Sequence, residues 1–168
     1  MSAVVSSTVS REVTVVVDAP AERVFDLISD VTRMGEWSPE STGAQWRSGT
    51  PGAVGSTFRG SNRRGRATWS TTCEVVASEP GRVFAFAVGK PAKPSTLWRY
   101  DLVPLAADRT RVTESFELPT PMGAASRLLT RLTLGVRDRE ADLERGMRTT
   151  LERLAAAAVR STQDAPHT

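Results

Sequence analysis

The chain has 168 residues, 39% hydrophobic and 24% charged, and its 22 Lys and Arg against 19 Asp and Glu leave a net charge of +3. That length suits one domain with a core and a cavity, and no run of ~18 uninterrupted apolar residues exists to form a membrane-spanning helix. One cysteine (Cys73) and one histidine (His167, in the polar tail) argue against a disulfide framework, a clustered metal site, a Cys–His pair and a Ser–His–Asp triad.

Residues 1–9 are small and polar and are expected to be loose. The opening MSAVVSSTVSRE has neither a basic start nor a long apolar stretch, so it does not read as a signal peptide. With the lone thiol, this predicts a cytoplasmic protein. EVTVVVD (12–18) alternates as a strand, with Val13, Val15 and Val17 on one face. In DAPAERVFDLISD (18–30), Pro20 suits a first helical turn, and Val24, Phe25, Leu27 and Ile28 fall at helical spacing. VTRMGEW (31–37) reads as a second short helical turn, ended by Gly35 and the Trp37-Ser38-Pro39 break.

From there the pattern is strands divided by turns. GAQWRSG is a short strand, and GSTFRGSN (55–62) and RATWSTTCEVVASE (66–79) form a hairpin across Arg63-Arg64-Gly65. A nucleic-acid surface would show a broad basic stripe with interleaved aromatics, so the Arg63, Arg64, Arg66 patch reads as a solvated turn. No nucleic-acid partner is expected. Glu79-Pro80-Gly81-Arg82 is a strong turn signal, and RVFAFAVG, STLWRYDLVP and TRVTESFEL follow as three more strands.

From Ala124 to about Val159 there is no Pro and the period turns helical, through Leu128, Leu132, Val136, Leu143, Met147, Leu151 and Leu154. A bend near Gly135 is expected. The expected fold class is α+β: a seven-stranded curved antiparallel sheet around a long C-terminal helix, with two short helices after the first strand. One domain should span 10–160, with 161–168 as a loose tail.

Four stretches carry a family likeness: VVVDAPAERVFDLISDVTRMGEWSP, GAVGSTFRGSNRRG, WSTTCEVVASEPGRVFAF and LWRYDLVP with TRVTESFEL. They resemble the START-like helix-grip superfamily, and within it the bacterial polyketide cyclase/dehydrase and lipid-transport group. The resemblance implies a fold; it does not fix an activity, because the superfamily includes cyclases, lyases, lipid carriers, receptors and ATPase activators.

Alternation decides which side chains face the helix. One face carries Trp69, Thr71, Cys73 and Val75; another carries Trp98, Tyr100 and Leu102. Val112, Glu114, Phe116 and Leu118 form an inward set, Phe84 and Phe86 another, and Phe58, Gly60 and Asn62 a third. The expected ligand-binding residues are therefore these aromatics with Asn62, Thr71, Cys73, Tyr100 and Glu114, joined by Leu132, Val136 and Met147 of the helix.

Glu114 is a carboxyl on an apolar face, costly to bury unless paired, with a pKa that burial raises. It is open to a structural reading, bonded to a helix Arg, Tyr100 or Trp98, and to a functional one as ligand partner or general acid or base. Cys73 reads as an inert buried thiol. Three functions compete: a binder of a small hydrophobic, lipid-like or polycyclic molecule; a cofactor-independent cyclase, dehydratase or lyase with Glu114 and Tyr100 catalytic; or an interaction module. No cofactor, metal or integral membrane association is expected, and the chain is expected to be a monomer or homodimer.

Overall fold

A computed structural model describes residues 9–119, Leu132 and residues 138–163. In chain order it comprises β1 (Val9–Val17), α1 (Ala21–Ser29), a 3₁₀ helix (Val31–Glu36) and β2 (Ser41–Ser48). Then follow β3 (Thr57–Arg64), β4 (Ala67–Glu79), β5 (Val83–Lys90), β6 (Lys93–Ala106), β7 (Arg109–Leu118) and the C-terminal helix α2 (Arg139–Gln163). The strands form a 7-stranded sheet in the order β1-β7-β6-β5-β4-β3-β2, antiparallel throughout. This is the expected α+β architecture, an open curved sheet with a C-terminal helix.

Tight turns make the meander. Arg82 N–H donates to the Glu79 carbonyl at 3.0 Å, and Gly81 supplies the φ of 69° that the second central position needs. Register shifts between Val75 and Ala77 in β4, and at both ends of β2, insert extra residues that bend the strands. The sheet so curved has a concave face that one helix can fill.

Periodicity explains what fills it. Val13 and Val17 of β1 are buried, as are Val24, Phe25, Leu27 and Ile28 of α1. Met147, Leu151, Leu154 and Ala158 of α2 are 0–1% exposed, so the stripe read from the sequence is the buried one. Helix α2 lies against β1, β7 and α1. Both faces of β5 are covered, since Ala85 and Ala87 are buried with Phe84 and Phe86.

Three expectations need correction or limits. Strand β3 continues through Arg64, and the hairpin turns at Gly65-Arg66, where Gly65 takes a φ of 57°. The helix runs to Gln163, past the expected boundary at 160, while Leu128, Val136 and the bend at Gly135 lie outside the described residues. Leu132 is helical but 74% exposed, so it does not join the inward stripe. Its spacing fits the period of the helix, but periodicity alone does not say whether another element covers that side chain.

Candidate functional site

The concave face is not packed solid. A cavity of about 460 Å³ lies between β3–β7 and α2. Cross-strand pairing builds its wall: Asn62 stands opposite Trp69, Gly60 opposite Thr71, and Phe58 opposite Cys73. Further along, Phe86 pairs with Trp98 and Tyr100 with Glu114, and Met147 closes the cavity from the helix side. Gly60 keeps the wall thin, because a Cβ there would lie 3.2 Å from Thr71 Oγ1.

Ten of the expected ligand-binding residues thus share one cavity, and Leu132, Phe84 and Phe116 do not. Phe84 and Phe116 are wholly buried behind it. Phe84 meets Phe25 of α1 edge-on at 6.2 Å, because α1 covers that end of the sheet. Phe116 lies 5.5 Å from the ring of its cross-strand partner Trp98, which lines the cavity while Phe116 does not. Alternation gives the face of a residue but not its depth beneath its neighbours.

Glu114 is 3% exposed, and its partner is a phenol rather than a guanidinium: Tyr100 O–H donates to Oε1 at 2.8 Å. Among the described residues Oε2 has no hydrogen-bond partner. Burial pushes the carboxyl up to about 8, outweighing the Tyr100 hydrogen bond that favours its ionised form. Tyr100 is itself raised well above its usual value by burial and by the carboxylate beside it. Burial likewise lifts the Cys73 thiol to about 11, so it is a poor nucleophile at neutral pH.

The mouth is polar, and sequence reasoning missed it. The Arg64 guanidinium forks onto both oxygens of Asp142 in α2, with Nη2 to Oδ1 at 2.7 Å, and also reaches Glu40 at 3.4 Å. This clasp ties the β3–β4 hairpin to the helix and to the segment before β2. The signals were present. Arg64 continues the inward series Phe58, Gly60, Asn62 by twos, and Asp142, Gly146 and Thr150 form a row by fours beside the apolar stripe. A charged patch at a hairpin suggested a solvated turn because its partner lay 78 residues away. Among the described residues no group of three or more His, Cys, Asp or Glu could hold a metal ion.

The family model described as polyketide cyclase/dehydrase and lipid transport matches residues 8–159. The chain belongs to this family. Solved structures agree in fold: the Zhui aromatase/cyclase from Streptomyces sp. R1128 is 20% identical with a TM-score of 0.69, covering 96% of this chain and 99% of that one. The polyketide-cyclase-like protein Cgl2372 from Corynebacterium glutamicum is 27% identical with a TM-score of 0.56, over 96% and 99% of the two chains. The ginseng major latex-like protein 151 from Panax ginseng is 17% identical with a TM-score of 0.56, over 80% of this chain and 97% of that one. No curated protein matches the chain. No helix among the described residues is long and apolar enough to cross a membrane.

Proposed function

We propose that this member of the polyketide cyclase/dehydrase and lipid-transport family binds a small hydrophobic molecule between the sheet and α2. The observation that carries the reading is the cavity of about 460 Å³, of ligand size and walled by Trp69, Phe86 and Trp98 with a few polar groups. Aromatic walls favour a flat or polycyclic ligand, which they contact over a large area. The test is binding of hydrophobic dyes and a library of polycyclic compounds, followed by Trp fluorescence, in wild type and in Thr71→Trp, which fills the cavity. Saturable binding lost in Thr71→Trp is expected; binding unchanged by the substitution would place the ligand elsewhere.

A second reading has its own support. Glu114 has a pKa pushed up to about 8 and a hydrogen-bonded phenol at 2.8 Å, a pair suited to exchanging a proton with a bound substrate near neutral pH. On that reading the pocket folds a reactive chain and Glu114 supplies or removes the proton of a cyclisation or dehydration. If so, Glu114→Gln loses turnover while affinity stays within about tenfold.

A further inference from the structure

We propose that the ligand is an uncharged aromatic molecule with a hydrogen-bond-accepting oxygen on its inner edge, and that Glu114 selects it as a protonated acid donating from Oε2. The inference rests on the ligand-binding reading above and narrows it. Its basis is the asymmetry of the carboxyl: Oε1 is taken by Tyr100, and Oε2 has no partner among the described residues, in a side chain 3% exposed on the cavity wall. With one neutral donor and no cation beside it among the described residues, a buried carboxyl is cheapest in its acid form. In that form it offers one O–H to whatever lies against the wall.

The surrounding groups limit what that can be. Among the described residues the titratable groups sharing the cavity with Glu114 are Tyr100 of β6, Cys73 of β4, Arg63 and Arg64 of β3, Glu40 before β2 and Asp142 of α2. Tyr100 and Cys73 are both held neutral by burial across the physiological range. Arg64 is engaged by Asp142 and Glu40, and Arg63 is exposed at the rim. From α2, Leu143 and Met147 present only apolar surface. Among the described residues a ligand carboxylate brought to the inner end meets no available cation, which disfavours free fatty acids. A ketone, quinone or ester oxygen meets a donor.

The experiment uses four probes of one shape: naphthalene, acetylnaphthalene, naphthoate and naphthylmethylamine, titrated against the wild-type chain from about pH 6 to 10. The expected order has acetylnaphthalene at least about tenfold tighter than naphthalene, with naphthoate and the amine weaker than the ketone. Its affinity should hold level below about 8 and fall as pH rises beyond, because the donor is then lost. In Glu114→Gln the amide keeps a donor, so ketone affinity should persist with a flat pH profile. In Glu114→Leu the preference for the ketone over naphthalene should vanish. Equal affinities for naphthalene and acetylnaphthalene with a flat wild-type profile would overturn the proposal while leaving the cavity reading intact. Tightest binding by the amine would overturn it in favour of an ion pair. Failure of every probe, naphthalene included, would overturn the cavity reading and this proposal with it.

Discussion

Burial raises the Glu114 carboxyl to about 8, and the β-sheet gives it a phenol as partner instead of a guanidinium. The consequence for stability has a definite sign. Its pKa rises from 4.5 in the free side chain to about 8 in the folded chain, so between those values the folded state holds more protons than the unfolded one. Stability from this group is fully present below 4.5 and is lost as pH rises toward about 8, at up to ~1.4 kcal/mol for each pH unit. Glu114→Gln removes that slope. Thermal melts should show the variant close to wild type near pH 4.5 and gaining on it steadily toward pH 8. A wild-type advantage that grows with pH would show that the carboxylate is paired. Cys73 gives a second readout at this scale. With its thiol at about 11 and 2% exposed, labelling by a thiol reagent near pH 8 should be slower than for a free thiol by orders of magnitude, and slower still with ligand bound.

Helix α2 serves two purposes with two rows of side chains. The row Met147, Leu151, Leu154 and Ala158 is wholly buried and holds the helix to the sheet. Leu151→Ala should cost about 2–5 kcal/mol in chemical denaturation, as deletion of a packed leucine does. The adjacent row Asp142, Gly146 and Thr150 borders the cavity. Gly146 faces the segment before β2, where a Cβ would make ordinary contact with the Pro39 ring at 3.7 Å. Asp142 carries the clasp with Arg64, whose side chain is 34% exposed, so solvent screens part of the pair's strength. A double-mutant cycle of Arg64→Ala and Asp142→Ala should show a coupling of about 1 kcal/mol. The same variants should speed ligand release in stopped-flow exchange, because the clasp links the elements around the mouth.

At the scale of the molecule, an open sheet and one helix leave a gap that side chains do not close. Large aromatics stand around it, and Gly60 and Thr71 keep the middle of the wall small. A ligand that fills this gap binds only the folded chain, so it raises the melting temperature by mass action. At a free concentration about 100 times Kd the gain is about 2.7 kcal/mol, readable by differential scanning fluorimetry. Thr71→Trp should abolish the shift without unfolding the protein. The indole fills space that the wild type leaves open, so the variant's own melting temperature should hold or rise.

The sequence alone determined the elements and their faces. Valine alternation set β1, turn chemistry at Glu79–Arg82 set the β4–β5 connection, and the four-and-three spacing of Leu143, Met147, Leu151 and Leu154 set the buried side of the helix. Those are local properties: period two or 3.6, and the φ that a turn requires. The inward position of Glu114 followed from the same parity, and the structure bears it out at 3% exposure. Tertiary structure decided what parity cannot reach. It chose Tyr100 over an arginine as the partner of Glu114, set Phe84 and Phe116 behind the cavity wall, and turned Leu132 outward. It also made Arg64 half of an ion pair with a helix 78 residues on. The reason is physical: depth, partner and charge pairing depend on which distant elements meet across the curved sheet, and no short window of sequence contains both sides of such a contact.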